Sequence, residues 1–149
     1  MLRWLTQRFA PQAQEVDTLQ HHVDRGLRRI NTATDLELEA FVDLIAKTSH
    51  TERAQVAQDA LSFMLRKLAF ELEDGTSGVR LGPYLEQTYI RDIAPQTLLG
   101  LANSGDVYVR ETLAKLVTPD NIAHAPEVIE RLSQSSSETR QALQGKFEI

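Results

Sequence analysis

The sequence predicts an all-α fold assembled from helix pairs, and three observations carry that expectation. No stretch shows sustained strand alternation bounded by hairpin turns, whereas apolar residues recur at helical spacing along most of the chain. Glycine and proline fall mainly between those periodic segments, where they punctuate helices rather than interrupt them. Finally, "APQTLLGLANSGDVYVRETLAKLV" lies over "APEVIERLSQSSSETRQALQGKF" once one residue is removed at the turn, an approximate 30-residue period.

Residues 1–33 read as a helical segment outside the repeat. Leu2, Leu5 and Phe9 share a helical stripe beside Trp4, Pro11 ends that stripe, and a longer helix is expected over Gln14 to Ile30. A helix pair follows over 34–72. In "TDLE", Thr34 is expected to cap and Glu37 to bond back to it, ahead of the apolar set Leu38, Phe41, Leu44 and Ile45. "SHTE" is expected to repeat the device at Ser49 and Glu52. The segment from Thr51 to about Leu72 is broadly apolar and so predicts a central, buried helix.

Residues 73–93 read as a loop, "EDGTSG", followed by a degenerate repeat unit. Pro83, Pro95, Pro119 and Pro126 each suit the opening turn of a helix, where the missing N–H would be unpaired anyway. Two helix pairs then fill 94–147. In the first, Gly105 is expected to end a helix in the left-handed conformation and Asp106 to cap the next. Leu98 and Leu101 would then face Val109, Leu113, Leu116 and Val117. In the second pair, Ile129, Leu132, Arg140, Leu143 and Phe147 occupy the equivalent positions. Arg53, Arg80, Arg110 and Arg140 follow one another at intervals of 27, 30 and 30.

At 149 residues the chain is expected to form one domain, with a core that needs neither disulfides nor metal. Its 42% hydrophobic and 25% charged residues are close to globular averages. It has no cysteine, which excludes disulfides, thiolate catalysis and cysteine-ligated zinc or iron–sulfur centres within the chain. The net charge of −5 opposes nucleic-acid binding, and neither half is basic: residues 1–75 hold nine basic against twelve acidic side chains, residues 76–149 seven against nine. No apolar run reaches signal-peptide or membrane-span length, so a cytoplasmic location is expected.

The helix-pair grammar resembles HEAT-like α-solenoids and the related leucine-rich variant repeats, in which a Pro-led first helix, a polar turn and a "VR" opening the second helix recur. Pro95, Leu98, Leu101, Asp106, Val109, Arg110, Leu113 and Ala114 carry the resemblance. Pro126, Ile129, Leu132, Arg140 and Leu143 carry it less fully, with Thr139 where the first unit has Val109. The resemblance implies a short HEAT-like solenoid or helical-repeat bundle. It also implies a scaffold or partner-binding role, since solenoids present an extended surface whose chemistry varies by repeat.

In such a stack the second helices line the concave side. Tyr108, Glu111, Thr112 and Lys115 are therefore expected to face outward as a partner-binding surface, continued by Gln141 and Gln144 on the last helix. Arg110 shares a flank with Leu113 and Val117, so its stem is expected to pack inward and its head to pair with a neighbouring turn. Trp4 either covers the end of the stack or meets a partner, with membrane contact a lesser alternative.

Catalytic patterns are thin. Adjacent His21 and His22 diverge on a helix, and His21 with Asp24 lacks a third metal ligand. Glu37, Glu39 and Asp43 read as capping and solvated charges, and Gly75 and Gly78 lack the lysine of a phosphate loop. The expected function is a non-enzymatic, bacterial-type adaptor that binds another protein without a cofactor. The alternatives are a toxin-neutralising immunity protein, a nucleic-acid enzyme on a HEAT-like scaffold, and a self-assembling protein.

Overall fold

Thr34 starts a helix because its hydroxyl accepts the backbone N–H of Glu37 (3.2 Å) while the Glu37 carboxylate accepts the N–H of Thr34 (3.2 Å). This reciprocal cap opens α2 (Asp35–Thr48). The computed structural model describes residues 18–74, 81–85 and 89–148. Helical residues 18–28 form α1; then come α2, α3 (Ala54–Asp74), α4 (Leu81–Tyr84), α5 (Ile90–Asp92), α6 (Pro95–Ala102), α7 (Val107–Leu116), α8 (Pro126–Ser133) and α9 (Ser137–Gln144). Among the described residues there is no strand, so the fold is all-helical.

The two C-terminal helix pairs share the length and closing geometry of their first helices, while the entries to α6 and α8 differ, φ −59° and ψ 139° at Ala94 against φ −142° and ψ 61° at Ala125. Both α6 and α8 run for eight residues from a proline at the first turn, and they end on Asn103 and Gln134 with nearly identical dihedrals, φ −90° with ψ 1° and 0°. Asp106 then caps α7 through the Tyr108 N–H, and Ser136 caps α9 through the Thr139 N–H. Val109 and Thr139 are both buried, as are Leu113 and Leu143. Thr139 substitutes for valine in the core because its hydroxyl lies 2.9 Å from that of Ser136.

Contacts between helices place these elements beside one another. Helix α7 lies between α3 and α9, and α6 lies beside α8 while also touching α3 and α7. One apolar cluster runs through the whole array, from Val23 and Leu38 through Met64, Leu98 and Leu113 to Leu143, with Ile129 packed against it. The last carbonyls of α7 are satisfied from outside the helix. Lys146 Nζ donates to the carbonyls of Ala114 and Lys115, and Asn121 Nδ2 to that of Leu116.

Several local expectations are corrected. Ser49 does not cap the following helix. It is the C-terminal cap of α2, it is buried, and its hydroxyl accepts the N–H of Ala94 (2.9 Å), which ties the α2–α3 turn to the start of α6. Ser49→Ala leaves that buried N–H unpaired, so a loss of about 1–2 kcal/mol is expected in urea denaturation. His50 of the same turn reinforces the tie, its Nε2 lying 2.6 Å from the carbonyl of Asp92, and His124 of the α7–α8 connection places its Nε2 3.0 Å from the carbonyl of Ile93.

Gly105 is not left-handed, because the turn after α6 closes on Asn103 instead. Glu73 and Asp74, expected in a loop, belong to α3. Pro119 sits in the α7–α8 connection rather than in a helix. Leu44 is exposed; the buried stripe of α2 is Leu38, Val42 and Ile45, one and two turns apart.

The N-terminal cap of α2 also has a pH signature. The Thr34 N–H, and then its hydroxyl, hold the Glu37 carboxyl below its ordinary value of 4.5. A lowered folded value means that the cap contributes fully above 4.5 and is lost as the pH falls through the lowered value. Proton–deuteron exchange at the first amides of α2 is expected to lose protection across that acid range. Unchanged protection there would show that the cap is idle.

Candidate partner-binding groove

Helical periodicity places two phenylalanines of α3 away from the core. The buried stripe of α3 is Ala57, Ala60, Leu61, Met64, Leu65 and Leu68. At about 100° per residue, Phe63, Arg66 and Phe70 stand on the opposite side. Phe63 is 50% exposed and Phe70 43%. Leu72 lies close to the buried stripe but one turn beyond its last member, so it too is exposed.

The Asp106 cap fixes where α7 begins, and with it the position of Tyr108 in the first turn. The Tyr108 ring meets the Phe70 ring with centroids 5.2 Å apart and planes tilted by 39°. The Arg66 guanidinium lies 5.9 Å from the Phe70 ring centroid and reaches the Asp106 carboxylate at 3.6 Å. The cap, the ion pair and the two rings form one unit joining α3 to α7.

Beside this unit runs a groove of about 260 Å³ lined by Ala69, Leu72 and Glu73 of α3 and Tyr108, Glu111, Thr112 and Lys115 of α7. All four α7 residues expected on the outward face thus border one depression. Thr112, however, is a correction: it is buried, because α7 is packed by neighbouring helices on both flanks, and on the groove side Tyr108 and Lys115 are exposed and Glu111 half-buried. Gln141 and Gln144 are exposed on α9 but do not line the groove. Trp4 and Arg80 lie outside the described residues.

Phe63, Phe70 and Leu72 were missed by sequence reasoning because α3 looked apolar on all sides. The readable signal was the seven-residue spacing of the two phenylalanines, out of phase with the leucine stripe. Of the periodic arginines, Arg110 bonds neighbouring turns, donating from Nε to Ser135 Oγ (2.8 Å) and from Nη1 to the Ser104 carbonyl. Arg53 is half-buried and Arg140 exposed. Among the described residues no cluster of three metal-ligating side chains occurs, and no helix is long and apolar enough to cross a membrane.

Fold and groove together define a class: an all-helical protein whose central helices present an aromatic and charged cleft to solvent. Comparison with protein-family models, curated proteins and solved structures gives no match.

Proposed function

We propose that this chain is a non-enzymatic protein-interaction module, a short HEAT-like helical stack that receives an amphipathic helix of a partner protein in the α3–α7 groove. One observation carries the reading. The Phe70 and Tyr108 rings pack against each other at the surface, with Phe63 farther along the same face of α3. Large aromatics left half-exposed on well-packed helices are the side chains that most often anchor protein interfaces. The cleft between two helices, with Leu72 inside it and Glu73, Glu111 and Lys115 along it, matches the helix-in-groove mode, in which apolar anchors enter and charges fix the register.

The test begins with a photo-crosslinking residue placed at Phe63, and at Gln144 as a control, in the native host. A partner captured at the first position and not the second is then purified and titrated against variants. Phe70→Ala combined with Tyr108→Ala is expected to weaken binding by at least about tenfold, with helicity unchanged by circular dichroism. Crosslinks confined to the α9 position, or parental affinity in the double variant, would remove this surface from consideration.

A further inference from the structure

A second depression lies at the tips of the two helix pairs, and its chemistry differs from that of the groove. The α6–α7 turn contributes Asn103, Ser104 and Gly105, the α8–α9 turn contributes Gln134 and Ser135, and Arg110 and Arg131 line the bowl of about 320 Å³ between them. No aspartate or glutamate lines it.

Both guanidiniums are fixed by neutral acceptors. Arg110 donates to Ser135 Oγ and to the Ser104 carbonyl, and Arg131 Nε donates to Asn103 Oδ1. Neither forms an ion pair with any described residue. A guanidinium carries five N–H donors, so these contacts engage two donors of Arg110 and one of Arg131. They hold the planes in place and leave the remaining edges for a ligand. Two fixed cations facing one concavity, in a chain of net charge −5, leave a local positive field that no lining carboxylate neutralises.

We propose that this bowl binds a phosphate dianion, free or as the monoester of a small molecule. Tetrahedral phosphate offers three acceptor oxygens, enough to take paired N–H bonds from two guanidinium forks, whereas a planar carboxylate offers two. The Ser135 hydroxyl and Gln134 amide add donors at the rim. Gly105 leaves room for the organic part, since a Cβ there would meet nothing within 4 Å. The bowl sits at the small end of ligand-pocket volumes, which run from about 300 Å³ upward.

The experiment is amide NMR titration of the full chain near pH 7.5, where a monoester is mostly dianionic. Glycerol 3-phosphate and inorganic phosphate are compared with acetate and chloride at fixed ionic strength. Saturable shifts of the Asn103, Ser104, Gly105, Gln134 and Ser135 amides are expected with both phosphates, at dissociation constants on the order of 1 mM or below. Tighter binding of glycerol 3-phosphate would assign the organic part to the bowl, and equal binding would identify bare phosphate as the ligand, the shared chemistry holding in either case. Arg131→Gln, with helicity and urea midpoint checked against the parent, is expected to weaken both by about tenfold. Shifts absent at concentrations on the order of 10 mM, shifts equalled by chloride, or unchanged binding in Arg131→Gln would overturn the proposal.

Discussion

Leu113→Ala is expected to lower the stability of the whole protein by about 2–5 kcal/mol, read as a drop in the urea midpoint at unchanged slope. Leu113 is buried on α7, the helix that α3, α6, α8 and α9 all touch, so the cavity left by truncation has no mobile edge to collapse into. The internal repeat supplies the control. Leu143 holds the equivalent position on α9 and is equally buried, but α9 packs chiefly on α7 and α8. Leu143→Ala is expected to raise hydrogen exchange mainly over 137–147, because a terminal helix can loosen without opening the rest. Equal and global effects from both substitutions would contradict this gradient from centre to end.

Gly26→Val is the second large effect, about 3 kcal/mol, the upper end of ordinary overpacking. Even a Cβ at position 26 would sit 2.2 Å from Phe41 Cε1 and 2.4 Å from Cδ1, far inside contact distance. The helices α1 and α2 meet at this glycine, with Val23 and Ile30 of the same segment buried in the core. The Phe41 ring must turn out or α1 must lift, exposing those two side chains. Phe41→Ala combined with Gly26→Val separates clash from backbone effects, since removing the ring is expected to recover part of the loss. A double variant no more stable than the sum of its singles would show that the glycine is needed for another reason.

The helix pairs were legible because their signals are local. Pro95 and Pro126 occupy first turns, Asp106 caps α7, and the 31-residue offset between "APQTLLGL" and "APEVIERL" emerges as two helices of equal length and matching C-terminal geometry. The candidate surface was legible in part: Tyr108, Glu111 and Lys115 follow from the phase of α7, but its other wall did not. Periodicity says which side of a helix is apolar, not how far a partner helix extends. Phe63, Phe70 and Leu72 are therefore not distinguished within a helix expected to be buried, and Thr112 reads as surface.

The amino-acid sequence by itself determined the helical class, the element starts set by Thr34, Asp106 and the two prolines, and the apolar stripes around Leu98, Leu113 and Leu143. Each of these depends on interactions spanning four residues or fewer, or on a period that repeats along one segment. Only the tertiary structure decided that Ser49 serves Ala94, that Phe70 meets Tyr108, and that Arg110 and Arg131 share one bowl. Those partners are separated by about twenty to forty-five positions, and which of them meet depends on how the helices cross, a property of the packed core as a whole.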